Sequence, residues 1–76
     1  MNNSNTVQYK QYEIQASPYI RINETPKWAI RFIVRKHMGD KILSSRFTYK
    51  EVLDTKEEAI QRCFSAGKVE IDKKSN

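Results

Sequence analysis

The chain has 76 residues, of which 14 are Lys or Arg and 9 are Asp or Glu, for a formal net charge of +5. That length makes one domain with a thin core, since so short a chain buries only ~60% of the surface its unfolded form exposes. One cysteine, Cys63, excludes an internal disulfide framework and cannot close a zinc site by itself.

Small secreted domains usually carry several cysteine staples, so the expected compartment is the cytoplasm. The opening "MNNSNT" has no basic segment followed by an apolar run and does not read as a signal peptide. No apolar stretch approaches the ~20 residues that cross a bilayer, so no membrane partner is expected. The positive charge is unevenly placed. Residues 1–50 hold nine basic and three acidic groups, whereas residues 51–76 hold five basic and six acidic. A basic surface attracts polyanions and speeds their encounter without specifying a fold.

Residues 1–7 are polar and Asn-rich and are expected to form a disordered tail ahead of one domain over residues 8–73. "YKQYEIQAS" (Tyr9–Ser17) alternates Tyr12, Ile14 and Ala16 with Gln11, Glu13 and Gln15, the pattern of a half-buried strand. Pro18 and "NETP" (Asn23–Pro26) bracket "YIRI", a short strand or extended edge that belongs at a sheet margin, because proline donates nothing to a ladder.

"KWAIRFIVRK" is a strand with Trp28, Ile30, Phe32 and Val34 on one phase and Ala29, Arg31, Ile33 and Arg35 on the other. "HMGD" supplies a turn, with Gly39 free to take positive φ. "KILSSRFTY" returns with Leu43, Phe47 and Tyr49 on one phase and Ser44, Arg46 and Thr48 on the other, completing a hairpin. The period then changes. Thr55 and Glu58 have the spacing of a capping box, and Asp54 adds charge at the positive end of the dipole. Ala59, Ile60, Cys63, Phe64, Gly67 and Ile71 make one helical stripe, and Glu58 with Arg62 makes an i,i+4 pair. Gly67 is either a close-contact point or a helix end; Ile71 keeps the phase of the stripe and favours continuation.

The expected fold is therefore α+β: an antiparallel sheet of three or four strands, in the order ββ(β)βα, with one C-terminal helix on one face. The other face stays open. By phase it carries Arg31, Ile33, Arg35 and Arg46, with Glu13 on the first strand.

Nothing in the chain composes a catalytic set, so no enzymatic activity, cofactor, metal or small-molecule substrate is expected. His37 falls in the turn, Glu57 and Glu58 point in different directions, and Cys63 lies on the apolar stripe as a small hydrophobe. Gly39 and Gly67 are isolated and form no phosphate loop. Trp28 shares the core phase, as do Tyr12 and Tyr49, while Tyr9 and Tyr19 suit the margin. Long basic side chains on a small sheet blunt aggregation. Ile33 between two arginines fits a contact surface better, and β-ribbons do enter the DNA major groove, where arginine bridges guanine O6 and N7. Arg31, Arg35, Arg46, Lys36 and Lys41 are the candidate DNA or RNA contacts, with Ile33 as the interaction face. The alternative is a protein-interaction module that self-associates through the same face or an edge.

Two resemblances accompany these residues. Tyr9 to Ile14, Trp28, Phe47, "TKEEA" (Thr55–Ala59) and "GKVEID" (Gly67–Asp72) resemble a group of short, mostly uncharacterised bacterial proteins, some labelled haemolysin transcriptional activator-like. That resemblance implies the same fold and a regulatory role. "KWAIRF" and "DTKEEAIQ" are similar to the AP2 domain and the integrase arm-binding domains, three-strand-plus-helix DNA readers. The latter resemblance implies that Arg31, Arg35 and Arg46 enter a major groove. The AP2 arginine-rich opening strand and its tryptophan-leucine-glycine strand are missing here.

Overall fold

The computed structural model describes residues 5–22 and 26–75. It contains β1 (Thr6–Tyr9), β2 (Tyr12–Ala16), β3 (Tyr19–Ile22), β4 (Pro26–Met38), β5 (Lys41–Leu53) and α1 (Lys56–Ser75). All five strands form one antiparallel sheet, and the helix follows them. This is the α+β arrangement the sequence implies, with a strand more than expected.

The additional strand comes from the chain start. Tyr9–Ser17 does not run straight: Lys10 and Gln11 both take positive φ, 50° and 68°, and turn β1 back on β2. Two positive φ values in a two-residue loop match the twist of a hairpin, at a steric cost that glycine or asparagine would lessen. Side chains hold the turn. Tyr9 Oη donates to Asp72 Oδ1 at 3.0 Å, and Lys10 Nζ lies 2.8 Å from the same oxygen. The tail expected over residues 1–7 is corrected accordingly. Thr6 and Val7 belong to β1, facing Gln15 and Ile14, while residues 1–4 lie outside the described residues.

β4 is the spine. β2 and β3 lie end to end along one of its edges in a common register, Ile14 opposite Val34 and Tyr19 opposite Ala29. Ser17 N donates to Arg31 O at 2.7 Å and carries the ladder between them. Pro18 stands at the break, as expected of a residue that cannot donate. "YIRI" is thus a true strand, and "NETP" is corrected at one end, since Pro26 opens β4. β5 takes the other edge. The hairpin turn is only Gly39–Asp40: His37 and Met38 belong to β4, which corrects the turn position expected for His37. Gly39 has φ +64° and Asp40 is not positive, the type II′ pattern that matches strand twist. Farther along, Ala29 faces Val52 while Arg31 faces Thr48, so β5 holds two extra residues opposite Ile30. An even insertion leaves the alternation of faces intact.

The helix starts where the capping residues place it. Glu58 N donates to Thr55 Oγ1 at 3.1 Å, and Ala59 N to Thr55 O at 3.1 Å. Arg62 pairs with Glu51 of β5 at 3.0 Å rather than with Glu58. The helix runs through Gly67 to Ser75 and lays Cys63, Ala66 and Ile71 on Ile14, Ala16, Ile30, Phe32 and Val34, with Ala59 also buried. Phe32 stacks on Phe47 and meets Tyr49 edge-on, at centroid distances of 5.1 and 5.6 Å. Burial pushes the Cys63 thiol pKa up, and its sulfur donates to Arg31 O, consistent with a small hydrophobe. Trp28 is only half buried, at the sheet end beside the first helical turn, with Lys56 Nζ 5.8 Å from its ring centroid.

Candidate nucleic-acid interface

The helix covers one sheet face, and among the described residues no helix covers the opposite face. Register now decides which residues share that open face, because paired residues point the same way. Ile33 lies between Gln15 and Arg46, and Arg35 between Glu13 and Ser44. Arg31 faces Thr48. Arg31, Ile33, Arg35 and Arg46 are thus brought together.

Lys36 and Lys41 are not among them. The two-residue turn fixes Met38 against Lys41 and Lys36 against Leu43, which puts both lysines on the helix side. Lys36 Nζ sits 5.2 Å from the Tyr12 ring centroid. Their assignment to the arginine surface is corrected.

The three arginines differ in freedom. Arg31 is held: Nε donates to Ser17 O at 3.0 Å, Nη2 to Ser17 Oγ at 3.3 Å, and its guanidinium lies 4.8 Å from the Tyr19 ring centroid. Those bonds engage two of its N–H groups and leave the remaining donors of the guanidinium fork for a ligand. Arg35 lies 3.7 Å from Glu13, whose same carboxylate oxygen is 3.9 Å from His37 Nε2. Arg46 is exposed and forms no ion pair among the described residues.

Two shallow depressions meet at Ile33 and Arg46. One, of about 330 Å³, is lined by Ile33, Arg35, Ser44, Ser45 and Arg46. The other is lined by Ser17, Arg31, Ile33 and Arg46. Together they form a trough lined by Arg31, Arg35 and Arg46, with Ile33 as its one apolar lining residue. Chemically, such a trough can hold phosphates or planar hydrogen-bonding edges between cationic forks while Ile33 meets a sugar, methyl or base face.

Several members were not legible as sequence. Ser17 and Tyr19 preorganise Arg31, yet they lie across a strand break that hides their register. Arg21 and Lys27 face each other on the same phase and extend the basic strip toward β3, with Lys27 Nζ also bound to Asp54. The alternation "YIRI" alone could have nominated Arg21, given the pairing.

Among the described residues, no group of His, Cys, Asp and Glu is arranged to hold a metal ion, and no helix is long and apolar enough to cross a membrane. No family model matches the chain, no curated protein matches it, and no solved structure matches it.

Proposed function

We propose that the protein is a non-enzymatic module that binds nucleic acid through its open basic face, in a regulatory role. One observation carries the reading: Arg31, Arg35 and Arg46 surround Ile33 on the sheet face that the helix leaves bare. Arginine is suited to such a surface because its planar fork meets phosphate or guanine in two bonds at once. The resemblance of "KWAIRF" and "DTKEEAIQ" to sheet-reading DNA-binding domains points the same way. A protein partner on this face is the second reading, favoured by Ile33, an apolar side chain at the middle of the trough.

Titrating the labelled protein with short DNA and RNA duplexes at low salt separates these readings. Binding at the trough shifts amide resonances in residues 31–35 and 44–48. No shift with any nucleic acid, or shifts confined to α1, would overturn the proposal and leave the protein-contact reading.

A further inference from the structure

We infer that the protein forms a two-fold dimer in which β5 pairs antiparallel with β5 of a second copy, joining the two sheets into one. β5 is the longest free edge of the sheet. Among the described residues it runs 13 residues and pairs only with β4, whereas β1 and β3, the other strands with a free edge, have 4 residues each. A row of unpaired backbone donors and acceptors of that length is a template for another strand. Lys41, Arg46, Lys50 and the two extra residues opposite Ile30 blunt it toward an arbitrary strand, so a partner must match its charges and its bend.

The side chains of β5 are self-complementary in one register. Aligning the strand end to end with itself sets Lys41 opposite Leu53 of the second copy, with Phe47 on the axis. Ile42 then faces Val52 of the second copy on the open face; these side chains are 58% and 39% exposed in the monomer. Phe47, already stacked on Phe32, meets its own counterpart and gains cover on its outer side. Lys41 lies diagonal to Glu51 of the second copy, an opposite-charge neighbour repeated by symmetry. Arg46 faces Thr48 of the second copy, and Lys50 faces Ser44 of the second copy. No like charges are directly opposed. Sliding the register by one pair of residues in one direction sets Arg46 against its own counterpart. Sliding it the other way sets Arg46 against Lys50 of the second copy. Length and apolar pairing select the full-length register, since either slide leaves two residues of each strand unpaired and separates Ile42 from Val52 of the second copy. This register also places both open faces on one side of the joined sheet.

The test uses the full chain under reducing conditions and free of nucleic acid, so its outcome is independent of the function proposed above. Sedimentation velocity across a concentration series reaching the NMR range should show a monomer–dimer equilibrium. In a sample mixing isotope-labelled and unlabelled chains, intermolecular contacts should join the Ile42 and Val52 methyls. Ile42→Lys with Val52→Lys, both at exposed positions, should give a folded monomer, and Ile42→Lys with Val52→Glu should restore the dimer. A parent that stays monomeric throughout the series, or a dimer indifferent to both pairs of substitutions, overturns the inference.

Discussion

Gly67 lies directly against Ile14: a Cβ added at residue 67 would come within 2.8 Å of Ile14 Cγ2 and 2.9 Å of Cδ1. The helix approaches β2 this closely only because residue 67 has no side chain. Gly67→Ala gains about 1 kcal/mol in helix propensity but forces Ile14 or the helix to shift, which costs ~1–3 kcal/mol in a packed core. We expect a net loss on the order of 1 kcal/mol in urea denaturation. In an Ile14→Ala background the obstructing atoms are gone, so the same change should stabilise. Sulfate, which strengthens burial, keeps that background folded enough to measure. Equal effects in both backgrounds would show that the close approach has no energetic consequence.

The cap gives a cleaner measurement. Thr55→Ala removes the acceptor of the Glu58 amide and should cost about 1 kcal/mol, whereas Thr55→Ser keeps it and should be nearly neutral. Glu58→Ala should cost less than Thr55→Ala, because the bond observed uses the Glu58 backbone. An unchanged denaturation midpoint for Thr55→Ala would move the helix start elsewhere.

Asp72 closes the β1–β2 turn, and its protonation should loosen it. Hydrogen bonds from Lys10 and then Tyr9 hold its carboxyl pKa below the usual value, while Asp72 raises that of Lys10. The carboxylate contribution is therefore present above the unfolded pKa of about 3.9 and lost as pH falls through the lower folded value. The Lys10 contribution is present below its ordinary value of 10.5 and lost as pH rises through the raised one. Asp72→Asn should be less stable than the parent near neutral pH, and the gap should close as pH falls through the lowered Asp72 value. A constant gap across the acid range would place the effect in packing instead.

These cases show what the sequence could carry. The helix and the β4–β5 hairpin were legible because their signals are local: the stripe from Ala59 to Ile71, the Thr55 cap, and alternation about Gly39. The turn at Lys10–Gln11 was not, since neither residue signals positive φ and the groups that hold it include Asp72 at the far end of the chain. The open face was legible by parity for Arg31, Ile33, Arg35 and Arg46. Charge alone wrongly adds Lys36 and Lys41 to it, although a two-residue turn already places them on the other phase. The lock on Arg31 needed the pairing of β2 and β3 across Ser17–Pro18, which no local pattern encodes.

That geometry makes the nucleic-acid proposal sharper than net charge would. Replacing Arg31, Arg35 and Arg46 together by glutamine should abolish most binding, starting from a parental dissociation constant of about 10⁻⁴–10⁻⁶ M. For every phosphate left without its arginine, the salt dependence should flatten by about 0.9 log units per log unit of salt. Arg46→Gln should be the most informative single change, because Arg46 is exposed and engaged in no ion pair among the described residues. Glu13→Gln should act in the opposite direction. It removes the carboxylate beside Arg35 and should tighten binding about two- to five-fold at low salt, the scale of a weak surface pair. Lys36→Gln with Lys41→Gln is the decisive control. Those lysines carry the same charge but lie on the helix side, so their removal should change affinity far less than removal of any two arginines. If the lysine pair weakens binding as much as an arginine pair does, the protein responds to net charge and the trough has no special part in binding.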